Sequence, residues 1–446
     1  MIELLLCFAA ITIVFAAGRR SLVAGLVAVF AVGYIYGITR ANFNGAASHF
    51  IFDAGVVGLY AARWGDIKKK LEGRDARWLK LWITLLVLWP VLLFLLPVQD
   101  PMIQVVGLRA DIFFIPFLIL GTRLEDSTIC RLATSLAILN IAAFLMAGAE
   151  YFLGIDRFFP HNEVTQILYN SKDIANYTAY RIPSFFSSPA AYGGTMVMTM
   201  PFLLGAWFQR KQATLRRIVL AAGLAASAIG VLMCASRSHF VVMAILFAAA
   251  AVRGRVPVAL RAGLIAIVLV ICFVAAGNQR LQRFTELSDT DYVGERVATS
   301  VNMGFFEAAA RYPMGNGLGG GGTSIPYFLQ DRLKDPVRIE NEYARILLEE
   351  GLPGLFLWVG FLFWLFRRKI ERGQAFEYGK RLAWITCLAY FLTGLIGTGL
   401  LTSIPGTPIL LLSISWAALG KKVLEETPAS LTAPIVNDYW LAKVGS

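Results

Sequence analysis

Arg181 and Arg237 stand where an arginine is expensive. Arg237 lies in CASRSHF, between two apolar runs with almost no loop to hold it, so it belongs at the rim of a membrane or slightly within. Arg181, in YRIPSFFSSPAAYG, marks the start of another apolar run and faces the same compartment. A guanidinium stays charged and presents a fork of donors that fits phosphate oxygens. These two, with Arg296 in VGERVATSVN and Arg338, are candidates for one anion site. The structural alternative makes each an interfacial anchor or the partner of a local acid such as Asp173, Glu295 or Glu340.

A second constellation begins at Arg338, where RIENEYARILLEEGLPGLF crowds acids and bases ahead of an apolar run. On a helix, Tyr343, Ile346 and Leu347 share one side and Glu342, Arg345 and Glu349 the other. That spacing predicts a short amphipathic helix on the outer membrane surface. Gly351 suits the left-handed position that ends it, and Pro353 the first turn of the next helix. Glu340 and Asn341 fall at its start, where exposed N–H groups favour a carboxylate. Glu340 is thus either a helix cap or a general base for a hydroxyl.

The elements that must position these residues are membrane spans. The chain of 446 residues is 57% hydrophobic and 16% charged, and its mean hydropathy of +0.63 exceeds that of ordinary soluble domains. The expected fold class is all-α and polytopic, a single multi-span domain over 1–446 with about twelve to thirteen spans. Candidates lie near 2–18, 21–38, 47–62, 80–97, 108–122, 132–149, 185–208, 217–235, 238–252, 258–277, 351–366, 382–400 and 404–420. The first is expected to be retained, since it lacks a basic leader. Alternate loops hold 27 of the 41 Lys and Arg, which puts them on the cytoplasmic side. Two long segments, 150–184 and 278–350, then face outward, the second ahead of the last three spans.

The net charge of +12 mostly reflects this topology, and no soluble basic domain suggests nucleic acid as a partner. The five cysteines fall in or beside spans with no metal spacing and read as packing residues. MGNGLGGGG at 314–322 lacks the lysine of a phosphate-binding P-loop, so it reads as a flexible surface hinge or a place of close approach to a ligand. His49 and His239 read as a structural residue and a rim residue. His161-Asn162-Glu163, in PHNEVTQIL, echoes Glu340-Asn341-Glu342 in IENEYARIL and reads as a decoy, because no glycine hinge and span follow it.

In order along the chain, GLRADIFFIPFLILG at 107–121, RIPSFFSSPAAYGGTMVMTMPFLLG at 181–205, ASRSHFVVMAILFA at 235–248, ERVATSVNMGFFEAAARYPMGNGLGGGG at 295–322 and ENEYARILLEEGLPGLFLWVGF at 340–361 resemble the landmarks of the O-antigen ligase and polymerase superfamily of integral-membrane glycosyltransferases. The resemblance implies a multi-helix protein of the bacterial cytoplasmic membrane with its active face in the periplasm. It implies a donor glycan on undecaprenyl diphosphate, a sugar hydroxyl as acceptor, inversion at the anomeric carbon, and no metal or other cofactor. Arginines matching Arg181 and Arg237 would bind the diphosphate. Ligases carry a histidine where this chain has Glu340, which turns the expectation from ligase to polymerase with Glu340 as base.

The expected activity is therefore polymerase-like glycosyl transfer in cell-surface polysaccharide synthesis. Glu340, Arg237 and Arg181 are the expected catalytic residues, with Arg296, Arg338, Asn341 and Tyr343 as secondary substrate contacts. Partners would be the lipid-linked donor, the acceptor glycan, membrane lipids and other polysaccharide-assembly proteins. Transfer to lipid A core, and a flippase or transporter that uses the same arginines to guide a lipid-linked anion, are the alternatives.

Overall fold

The computed structural model describes residues 1–43, 45–69, 74–170, 180–209, 213–252, 290–302, 304–368, 370 and 376–420, with the side chains of Ile167, Tyr292 and Arg296 excepted. The helices run in the order α1 Ile2–Arg20, α2 Leu22–Asn42, α3 Ile51–Ala62, α4 Trp64–Lys68, α5 Arg74–Phe94, α6 Pro101–Ile112, α7 Pro116–Thr122 and α8 Asp126–Leu153. They continue as α9 Gln166–Tyr169, α10 Pro189–Trp207, α11 Thr214–Met233, α12 Arg237–Val252, α13 Thr290–Asn302, α14 Phe305–Arg311, α15 Glu342–Phe366, α16 Glu377–Thr393 and α17 Gly406–Leu419. Helix makes up 76% of the structure and no strand occurs among the described residues. The protein is an all-α, multi-pass membrane protein. Among the described residues, seven helical segments are long and apolar enough to cross a membrane: α1, α2, α5, the α6–α7 pair, α8, α11 and α15. The expected span at 258–277 lies outside the described residues.

Buried at the centre is α10, in which all residues but Ala190 and Trp207 are shielded. Its small residues allow the close backbone approach that substitutes for hydrophobic driving force in lipid, as where Gly205 meets Gly379 of α16. One polar knot crosses this core. Asn140 of α8 accepts from the Tyr34 hydroxyl at 2.5 Å and donates to Thr199 at 2.8 Å and Ser227 at 2.7 Å, joining α2, α8, α10 and α11. A polar side chain at this depth has to find partners within the protein, and here three neighbouring helices supply them.

The basic turns gather at one end. Arg123, after α7, donates to the carbonyls of Asp66 in α4 and of Lys69 just after it, and Arg368, after α15, pairs with Asp75 at the start of α5. Lys380 of α16 pairs at 3.1 Å with Asp126 of α8. The other end of the bundle is where regular backbone breaks down. Residues 394–405 differ most from expectation: α16 stops at Thr393 and α17 begins at Gly406, with an irregular segment in place of a tight turn. Gly394, Gly397, Gly399 and Pro405 disfavour helix there. The N–H groups of Gly399, Leu400 and Leu401 donate instead to the Glu342 carboxylate, at 2.7 to 3.4 Å.

The start of α15 also corrects the expectation of a surface amphipathic helix. Its polar side faces inward, and Glu342, Arg345, Glu349 and Glu350 are all buried. Arg345 donates to Glu342 at 2.9 Å, to Glu349 at 2.6 Å and to Asp111 of α6 at 3.1 Å. Helical periodicity separates polar from apolar faces, but it cannot reveal that another element brings a carboxylate to the polar one. The hinge occurs as expected, with Gly351 at φ 72° and the helix continuing through Pro353.

The glycine cluster is packed rather than hinged. Asn316, Gly317, Leu318, Gly319 and Gly320 are buried, and Gly319 lies against Gly107 of α6 so closely that a side chain at either position would collide. Gln99 fastens the turn by donating to the Asn316 carbonyl at 2.8 Å and accepting from the Lys334 N–H at 3.0 Å. The close approach is to a helix of the same chain.

Candidate functional site

At the end of the bundle opposite the basic turns is a cavity of about 1060 Å³. Most of its sides are places where a helix begins or ends. The end of α2 contributes Tyr36 and Arg40, the residues before and within α3 contribute His49 and Asp53, and α6 contributes Arg109. The Gly322–Tyr327 stretch, the loop carrying Arg181, the Ser236 turn and the irregular 394–404 segment complete the wall, with Glu163, Gln166 and Asn170 at one side. Non-helical backbone at membrane depth is tolerated where it lines such a space.

Among the described residues, three arginines face this cavity. Arg109 is tied to Asp53 through two hydrogen bonds, one of them Nε to Oδ2 at 2.9 Å, so its charge is largely met. Arg40 lies 5.5 Å from the Tyr36 ring centre and takes part in no ion pair among the described residues. Arg181 is aimed by its Nε, which donates to the Cys234 carbonyl at 2.9 Å. The loop behind it leans on α2: Ile38 donates to the Phe185 carbonyl at 2.9 Å, and Gly37 leaves room for the Phe186–Ser187 backbone. Glu150, buried at the end of α8, accepts the Ser184 N–H at 2.8 Å where Ser184 adopts a left-handed φ of 54°. The loop is therefore held from two helices, and the guanidinium position is fixed before any ligand arrives.

His239 lies deeper in the wall. One ring nitrogen is 2.7 Å from the Ser236 hydroxyl and the other 3.4 Å from that of Tyr390. Gly193 and Gly194 of α10 make space for the ring. The sequence reading of His239 as a rim residue is thus revised to a buried residue in the cavity wall.

The expected site residues separate. Arg181 lines the cavity, whereas Glu340, Asn341, Tyr343, Arg237 and Arg338 are not among its lining residues. Arg237 opens α12 after a three-residue turn in which Ala235 is left-handed at φ 47°, and its neighbours Ser236 and Ser238 do reach the wall. Glu340 pairs with the exposed Arg338 at 3.5 Å and lies 3.4 Å from the Ser300 hydroxyl. Asn341, not Glu340, caps α15: it accepts the Ala344 N–H at 2.6 Å and donates to the Ser300 and Val301 carbonyls. Tyr343 donates to the Phe391 carbonyl at 3.0 Å. The side chain of Arg296, on α13, lies outside the described residues.

Sequence reasoning missed Arg40, Arg109 and Glu163. A signal existed for the arginines: of the fourteen Lys and Arg outside the basic loops, twelve are arginine, and Arg40 and Arg109 are two of them. No family model matches this chain, and comparison with curated proteins finds no match.

Proposed function

We propose that this chain is a polymerase-like glycosyltransferase, moving glycan from an undecaprenyl-diphosphate carrier to a sugar hydroxyl at the outer face of the bacterial cytoplasmic membrane. The observation that carries the reading is the convergence of Arg40 and Arg181 on one large cavity, at the bundle end remote from the basic turns. Positive-inside topology makes that end extracytoplasmic, where a lipid-linked donor is presented and nucleotide is absent.

In this reading the acceptor oxygen attacks the anomeric carbon while the carbon–oxygen bond to the diphosphate breaks. The electron pair passes to the phosphate oxygen, and inversion follows from a single displacement. Arg181 and Arg40 stabilise the charge that develops on the departing lipid diphosphate; fixed guanidiniums do this without reorganising at the moment of reaction. Arg237 contributes through its neighbours Ser236, Ser238 and His239, which line the cavity at the start of α12. Glu340 serves the architecture at the start of α15.

The test is glycan transfer in proteoliposomes given preformed lipid-linked donor and acceptor on the outer face. Wild type should form glycosidic bonds, and Arg181→Ala should reduce the rate by about 100-fold or more, as loss of one preorganised donor does elsewhere. Carrier crossing the bilayer with no bond formed would replace this reading by a transporter.

A further inference from the structure

Within the segment read as a decoy, one carboxylate lies in the cavity that Arg40 and Arg181 share. Glu163 is exposed, lines that cavity, and takes part in no ion pair among the described residues. Gln166 and Asn170 follow on the same short helix and its end, also exposed and also lining the cavity.

The segment that presents them is not loose. Asn162 donates to the Ala41 carbonyl at 2.9 Å, next to Arg40, and Asn42 donates to the Phe158 carbonyl at 2.9 Å. Phe159 and Leu168 pack with Ala41 into a small core of their own. Asn162 also accepts the Thr165 N–H at 3.0 Å, while Thr165 accepts the Asn162 N–H at 3.0 Å, so each caps the other. Glu163 therefore sits on a braced turn fastened to the end of α2 that carries Arg40. A pinned turn bearing a carboxylate and two amides is the chemistry that recognises sugar hydroxyls, which both donate and accept.

Resting on the transferase reading above, we propose that Glu163, Gln166 and Asn170 form the acceptor-glycan subsite and that Glu163 takes the proton of the attacking hydroxyl. The hydroxyl oxygen forms its bond to the anomeric carbon, its proton passes to the Glu163 carboxylate, and the electron pair of the breaking bond leaves with the lipid diphosphate. Glu163 returns the proton to water at the cavity mouth. The cationic wall thus holds the donor's diphosphate, and the amide and carboxylate wall holds a neutral glycan.

Two measurements on the full chain in nanodiscs test this. In the transfer assay, Glu163→Gln should lower kcat by about 100-fold or more, at the lower end of what general bases contribute, with little change in KM for either substrate. Gln166→Ala with Asn170→Ala should raise KM for acceptor while leaving KM for donor unchanged. In a binding assay that needs no turnover, neutral oligosaccharides released by mild acid from the source strain's surface polysaccharide should bind wild type and Arg181→Ala, and lose binding to the Glu163→Ala, Gln166→Ala, Asn170→Ala triple variant. A Glu163→Gln enzyme with wild-type kcat, beside an inactive Arg181→Ala, would overturn the subsite and leave the transferase standing. Absence of transfer by wild type would overturn the transferase, and the binding result would then judge the subsite alone. Thermal melting of each variant at the wild-type temperature excludes misfolding as the cause.

Discussion

PHNEVTQIL at 160–168 and IENEYARIL at 339–347 share an Asn-Glu pair and a closing Ile-Leu, and the structure treats the asparagines Asn162 and Asn341 alike and the glutamates Glu163 and Glu342 oppositely. Asn162 and Asn341 each accept the N–H three residues on and donate to a carbonyl of a distant element. Glu342 is then fully buried and answered by Arg345 and the 399–401 backbone. Glu163 is exposed, answered by nothing described, and turned to the cavity. A buried charge must be matched inside the protein or it destabilises the fold. An open one can wait for a ligand. The local motif builds the turn in both segments, and what packs over it decides whether the acid serves structure or substrate.

That contrast is most easily broken at Arg345. Arg345→Ala would strand Glu342, Glu349 and Asp111 in an enclosed site, and breaking a buried charge cluster from one side costs about 3–5 kcal/mol. The folded protein should be lost, or melt far below wild type, in fluorescence-detected size exclusion; a wild-type profile would mean that the stretch is not structural. Next in size are the two asparagines. Asn341→Ala should destabilise by about 2 kcal/mol and Asn162→Ala by about 1 kcal/mol, since both lose a helix or turn cap and the first is more deeply buried. The reverse ranking in thermal melts would undo the comparison. Smallest is Glu163→Ala, which should change stability by less than about 0.5 kcal/mol, as exposed substitutions do, while transfer is lost. A large drop in melting temperature would return Glu163 to a structural role.

How much of this was legible follows from the same physics. Long apolar runs announce membrane helices because hydrocarbon admits little else, so the class and the hinge at Gly351 read directly from the chain. The cap at Asn341 was within one residue of expectation. The site was less legible. Asp111 and Arg345 are 234 positions apart, and no local pattern foretells such a pairing. No local pattern singles out Arg40, which ends an apolar helix; it is Asn42 and Asn162, bonded across to Phe158 and Ala41, that bring a distant segment beside it. The glycine run suggested freedom, yet its positive φ values at Gly315, Gly317, Gly319 and Gly322 serve close packing.

A lipid-linked anion is predicted to bind in the cavity carrying Arg40 and Arg181, and not at the charged stretch 338–345. A cryo-electron microscopy structure in nanodiscs supplemented with undecaprenyl diphosphate tests it directly. Diphosphate density between Arg40 and Arg181 is the predicted result. Density held by Arg338 at the head of α15, with the cavity empty, would contradict it.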